Sequence, residues 1–85
     1  MVKTKWVEKD NTLQRTFSFH DFVEAWAFMT EVAFHVEKLG HHPNWSNVWN
    51  TVEIKLTTHD AGNKVTAKDH ELAAAIDKVF KKYEV

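Results

Sequence analysis

The chain has 85 residues, enough for one domain, and a domain of this size buries only about 60% of the surface its unfolded chain exposes. With 11 basic and 12 acidic side chains, a formal charge of −1 and no cysteine, it lacks the electrostatic footprint of a nucleic-acid binder, and disulfides, thiolate nucleophiles and cysteine-ligated zinc are excluded. No apolar run approaches the roughly 18 residues of a membrane span, and no apolar signal core follows Met1 to Lys5, so the expected location is the cytoplasm, without nucleic acid or membrane as partner. Against two glycines and one proline stand six histidines and four tryptophans. Any chemistry in such a chain falls to histidine and carboxylate.

Residues 4–8 and 12–19 read as two strands, with Asp10 and Asn11 as turn residues between them. In the second, Leu13, Arg15, Phe17 and Phe19 share one parity, the alternation of a half-buried strand, and Arg15 interrupts the apolar side. Ser18 followed by Asp21 resembles a capping box and predicts a helix over about residues 20–39, with Gly40 as its C′ residue. Residues 19–39 hold 13 apolar side chains among 21, leaving a narrow polar stripe of His20, Glu24, Glu31, His35 and Lys38. A helix apolar most of the way round is buried on more than one side. One side can face a sheet, and the other is expected to pack on a second copy of the chain, with Phe28 as a position where a charge should weaken assembly.

Residues 45–58 read as extended, with Val48, Val52, Ile54 and Leu56 on one face and Trp49, Thr51, Glu53, Lys55 and Thr57 on the other. A bulge or tight turn at Asn50-Thr51 splits them into two strands. Asp60 to Asn63 form a turn cluster, and Thr66 to Asp69 a capping-box start. The last helix, about 67–83, carries the stripe Leu72, Ala73, Ile76, Val79, Phe80 and Tyr83. The fold class is α+β: one domain over 1–85, an antiparallel sheet of about four strands with two helices on one face, in the order ββαββα.

The segment from Gly40 to Trp45, with His41, His42 and Pro43, follows the helix C-terminus, where the dipole favours positive charge. Adjacent histidines in an extended segment point to opposite sides, and Pro43 holds His42 out of the α region. Glu37 falls away from the polar stripe, on the side of Phe19 and Trp26, and in the last helical turn, where a carboxylate is disfavoured. A carboxylate in such a place often orients a histidine. His59 ends the long extended segment, and Asp69 sits at the third helical position, where the cap alone explains it. Trp45 and Trp49 are candidate walls of a flat pocket. His20, His35 and His70 read as surface residues. No His-Glu-x-x-His is present and no helix carries histidines four apart, so no metal site is expected.

The runs Glu37-Lys38-Leu39-Gly40-His41-His42-Pro43-Asn44-Trp45, Asn47-Val48-Trp49-Asn50, Leu56-Thr57-Thr58-His59, Thr66 to Asp69 and Glu71-Leu72-Ala73 resemble the pterin-4a-carbinolamine dehydratase family. Phe17-Ser18-Phe19, Asp21-Phe22 and Phe28-Met29-Thr30 resemble its second strand and central helix, so the resemblance covers nearly the whole chain. It implies removal of water from 4a-hydroxytetrahydropterin to give quinonoid dihydropterin. That reaction recycles the pterin of aromatic amino acid hydroxylases and needs no cofactor beyond the pterin, which is the substrate. Carried onto this chain, it implies His41, His42 and His59 as catalytic residues and Glu37, Pro43, Trp45 and Asp69 as substrate-binding ones. It also implies a homodimer or homotetramer built through helix 20–39. The chain departs from the family pattern in having no further helix ahead of the first strand, which is expected to alter subunit contacts or leave a pocket edge open, and in Gly40, where an acidic residue is frequent; if that carboxylate tunes a histidine, a lower rate is expected. The alternative is a non-catalytic protein-interaction (dimerization) module of the same fold.

Overall fold

A computed structural model of the chain describes residues 6–84. Strand β1, Val7–Lys9, and strand β2, Thr12–Ser18, form a hairpin. Asp10 and Asn11 at its tip have φ of 53° and 61°, the pair of positive values a type I′ turn requires. Residues 4 and 5 of the expected first strand lie outside the described residues.

The first helix, α1, spans Phe22–Leu39 and begins two residues later than expected. Its N-cap is Asp21, whose carboxylate accepts from the Glu24 N–H at 2.9 Å. Glu24 in turn accepts from the His20 N–H at 3.0 Å. Ser18, the expected cap, is instead the last residue of β2.

Strand β3, Asn44–Val48, and strand β4, Thr51–Leu56, are joined by the two-residue loop Trp49-Asn50. Trp49 has φ of 51° and Asn50 has no positive φ, the sign pattern of a type II′ turn that usually takes glycine first. This loop corrects one expectation. Val48 pairs with Thr51 and Asn47 with Val52, so β3 presents odd-numbered residues to the face that β4 fills with even ones. Trp45 therefore points inward opposite Ile54, and Val48 is exposed.

The sheet is antiparallel throughout, in the order β1-β2-β4-β3. The second helix, α2, spans Ala67–Phe80 and continues as a short 3₁₀ turn, Lys81–Tyr83. Both helices cover one face of the sheet. Leu13, Phe17, Val52, Ile54 and Leu56 from the strands meet Ala25, Phe28, Val32 and Val36 of α1 and Leu72, Ala73, Ile76 and Val79 of α2. Phe17, Phe19, Phe28 and Phe80 form an aromatic centre, with Phe17–Phe28 and Phe17–Phe80 centroids 5.0 and 4.9 Å apart. Glu31 on α1 accepts from Lys82 and from the Tyr83 hydroxyl and so ties down the end of the chain.

Phe28 is wholly buried in this core, so a charge there tests folding and not assembly. The opposite side of α1 is exposed and carries Phe22, Val23, Trp26 and Phe34.

Arg15 keeps its place on the inner face of β2 because its guanidinium lies over the rings of Phe17 and Phe80, at 4.3 and 5.1 Å from their centroids. It donates to Asp77 at 2.7 Å, and the Trp6 indole N–H donates to the same oxygen at 2.7 Å. The Arg15 side chain is only 11% exposed. Asp77→Ala should therefore cost roughly 2–3 kcal/mol by leaving a buried guanidinium without its carboxylate. Arg15→Met, which keeps the packing of the stem, should cost less in the same denaturant titration.

Candidate active site

Two features place His41, Gly40 at the end of α1 and Asp69 at the start of α2. Gly40 takes φ of 65°, in the left-handed region, and closes α1. Its N–H donates to the Glu37 carbonyl, and the His41 N–H donates to the Val36 carbonyl at 3.3 Å. These two bonds are a Schellman motif. A non-glycine residue at position 40 would be strained there, although a Cβ would meet no atom within 4 Å. The backbone of His41 is thus fixed by the helix it follows.

The side chain of His41 is fixed by α2. Its Nε2 lies 2.6 Å from Asp69 Oδ1. Asp69 Oδ2 accepts from the Thr66 N–H at 2.8 Å and from the Thr58 hydroxyl at 2.7 Å. Since the Thr58 proton goes to the carboxylate, the Thr66 hydroxyl donates to Thr58, 2.6 Å away. Thr66 also accepts from the Lys68 N–H, completing the capping box expected from the sequence. Asp69 is fully buried. Burial pushes its carboxyl pKa up, but the bonds from His41, Thr66 and Thr58 outweigh that and hold it below the ordinary aspartate value. The carboxylate is ionised, so the Nε2–H of His41 is the donor.

Strand β4 stops at Leu56, and His59 opens a 3₁₀ turn, His59–Ala61, instead of ending a strand. Thr58 bridges to Lys64 and closes the loop that carries His59. His41 and His59 share a cleft of about 390 Å³, lined by Gly40, His41, His42, Pro43, Asn44, Thr58, His59, Asp60 and Lys68. That volume suits a small ring-shaped ligand.

The neighbours His41 and His42 diverge, as an extended backbone requires. His41 is 12% exposed and His42 67% exposed. Glu37 is 83% exposed and meets His42 at 3.4 Å, a long and solvated contact that contributes little energy. Among the expected site residues, His41, His42, Pro43 and His59 line the cleft, and Asp69 lies behind His41. Glu37 reaches the cleft only through His42. Trp45 is half-buried against the core and does not line the cleft, nor does Trp49 at the hairpin tip. Thr58 and Lys68 are lining residues that sequence reasoning missed, since a threonine after a strand and a lysine in a first helical turn carry no pattern of their own. Among the described residues, no group of three histidine or acidic side chains is arranged to hold a metal ion.

The family model for pterin 4 alpha carbinolamine dehydratase matches residues 1–79. The chain belongs to that family. A protein of Opitutus terrae that carries the enzyme's name provisionally is 49% identical over 74 residues, covering 87% of this chain and 76% of that protein. One from Bradyrhizobium, named in the same provisional way, is 54% identical over 76 residues, covering 87% and 75%. The crystal structure of a transcriptional coactivator/pterin dehydratase from Brucella melitensis is similar, with a TM-score of 0.83 at 38% identity, covering 88% of this chain and 81% of the other. A pterin dehydratase-like protein described as a RuBisCO assembly factor in the alpha-carboxysome shares the fold, with a TM-score of 0.77 at 24% identity, covering 89% of each chain. The four-stranded antiparallel sheet with two helices is therefore the pterin dehydratase fold. No helix of the described residues is long and apolar enough to cross a membrane.

Because the folded pKa of Asp69 lies below the unfolded one, the stability it contributes is present above the unfolded value, about pH 4, and is lost as pH falls through the folded value. Asp69→Asn should flatten the fall in melting temperature below about pH 4. At neutral pH it should cost about 2–3 kcal/mol, because an amide cannot accept all three donors.

Proposed function

We propose that this chain is a dehydratase acting on 4a-hydroxytetrahydropterin, in recycling of the pterin used by aromatic amino acid hydroxylases. It works in the cytoplasm and needs neither metal nor further cofactor. The observation that carries this reading is the cleft itself: His41, His42 and His59 around a volume of ring size, with His41 held by a buried ionised carboxylate.

In the reaction the bond from C4a to oxygen breaks, and the leaving oxygen takes a proton from an acid. A base takes the proton of the adjacent ring nitrogen, and the electron pair of that N–H bond becomes the new carbon–nitrogen double bond. One proton is given and one is taken, so water leaves without any oxidant or reductant. Imidazole titrates near neutral pH and can serve in either role. His41 and His59 flank the hydroxyl, and His42 supports the ring. Pro43 keeps His42 extended, Asp69 holds His41, and Glu37 acts through His42. Trp45 lies on the inward face of β3, the strand that leaves the site, and anchors that strand to the core.

We also propose a homodimer or homotetramer through the outer face of α1. Phe22, Val23, Trp26 and Phe34 lie exposed on that face, and a domain of this size gains stability from covering them. The same face favours the second reading, a non-catalytic interaction module. So does the likeness in fold to a protein described as a RuBisCO assembly factor.

Stopped-flow dehydration of 4a-hydroxytetrahydropterin separates the two readings. His41→Ala and His59→Ala should each lower kcat by roughly 10²–10⁴-fold. A wild type no faster than the uncatalysed reaction would leave only the interaction module standing. For assembly, Trp26→Glu combined with Phe34→Glu should reduce the sedimentation mass to that of a monomer, and a monomeric wild type would overturn the oligomer.

A further inference from the structure

The loop after β4 is wound on one carbonyl. The oxygen of Thr58 accepts from the N–H groups of Ala61, Asn63 and Lys64, at 3.2, 3.1 and 3.4 Å. Gly62 and Asn63 follow with φ of 81° and 61°. Two successive left-handed residues turn the chain back on itself, and asparagine is among the few side chains that accept this conformation. The turn brings the Asn63 amide to His59, with Asn63 Oδ1 2.7 Å from His59 Nδ1. An amide oxygen only accepts, so the proton of that bond sits on Nδ1. Among the described residues Nε2 of His59 has no hydrogen-bond partner, and His59 lines the cleft that His41 also faces.

We infer that Asn63 is a positioning residue for His59: it holds the neutral ring in the Nδ1–H tautomer and leaves the lone pair of Nε2 for a ligand in the cleft. A neutral histidine side chain free in water favours the other tautomer, with its proton on Nε2, so this partner changes what the ring offers. The consequence for catalysis rests on the dehydratase reading above. His59 Nε2 then takes the proton of the pterin ring nitrogen. His41, entering the step doubly protonated with its Nε2–H committed to Asp69, donates its Nδ1 proton to the departing oxygen and is left neutral. The proton gained by His59 and the one lost by His41 re-equilibrate through solvent before the next turnover.

The test reads the tautomer directly, without substrate, by long-range proton–nitrogen correlation of the imidazole signals at about pH 8.5, roughly two units above the ordinary histidine pKa. Wild type should show His59 protonated at Nδ1. Asn63→Gly keeps the left-handed backbone while removing the amide, and should move the proton to Nε2. Asn63→Asp keeps an acceptor oxygen and should retain the wild-type pattern. A wild-type His59 already protonated at Nε2, or an Asn63→Gly spectrum identical to wild type, would overturn the inference.

In turnover, Asn63→Gly should lower kcat on the order of tenfold, a part of the 10²–10⁴ that a general base supplies, with KM and melting temperature little changed. Unchanged kcat beside a changed tautomer would overturn the catalytic consequence. An inactive wild type would defeat the dehydratase reading, while the spectra would still decide the tautomer.

Discussion

Asp69 has no solvent exposure, so the cost of keeping its charge must be met by donors alone. Four groups gather around it: the imidazole of His41, the hydroxyl of Thr58, the N–H of Thr66 and, behind Thr58, the hydroxyl of Thr66. They come from the end of α1, the loop after β4 and the start of α2. A capping carboxylate that would ordinarily serve one helix therefore joins three elements. The cleft exists where these elements meet, and its shape depends on all of them being drawn to one charge. Such a network is rigid when every member is satisfied and fails as a unit when one is removed.

The elements themselves were legible because local signals agreed with the fold. The stripe of α2, the Thr66–Asp69 box, the alternation of β2 and Gly40 each rest on interactions within a few residues. What was not legible depends on a register or on a partner far along the chain. Val48 shares parity with Val52, Ile54 and Leu56, and only the even-length loop at Trp49-Asn50 reverses its face. Glu37 stands off the polar stripe of α1, as the helical period says, yet that side of the helix is open in the monomer and the carboxylate is solvated. Asp69 is the sharpest case. Its position in the cap was evident, and the cap explains one of its oxygens. The other oxygen is aimed at His41, and nothing in the spacing of residues 41 and 69 records that pairing.

The two apolar sides of α1 were also inferred from composition, but composition does not say which side is which. Phe28 and Trp26 are two residues apart and behave oppositely: one is at the centre of the core and the other is exposed. The difference follows from the helical period once a single inward residue is known, and Ala25, Phe28, Val32 and Val36 supply it. The exposed row is then Phe22, Val23, Trp26 and Phe34, and Glu37 belongs to the same side near its C-terminal end. A carboxylate at the border of an apolar surface sits beside the mouth of the cleft through His42.

The adjacency of His41 and His42 now has a definite meaning. The Schellman motif fixes the backbone at residue 41, and Pro43 fixes it on the other side of residue 42, so neither ring can exchange places with the other. One ring is sent inward to a buried carboxylate and the other outward to a solvated one. The inward ring has a single nitrogen left for chemistry, and its orientation is determined by the fold. The outward ring keeps its freedom, in keeping with the supporting role proposed for it. His59 is exposed like His42, but it acquires from Asn63 the constraint that His42 lacks. Orientation, not histidine content, therefore separates the three. The two rings with a short, directed bond to one nitrogen are the two whose remaining nitrogen is defined, which is what the proposed proton transfer would require at both ends.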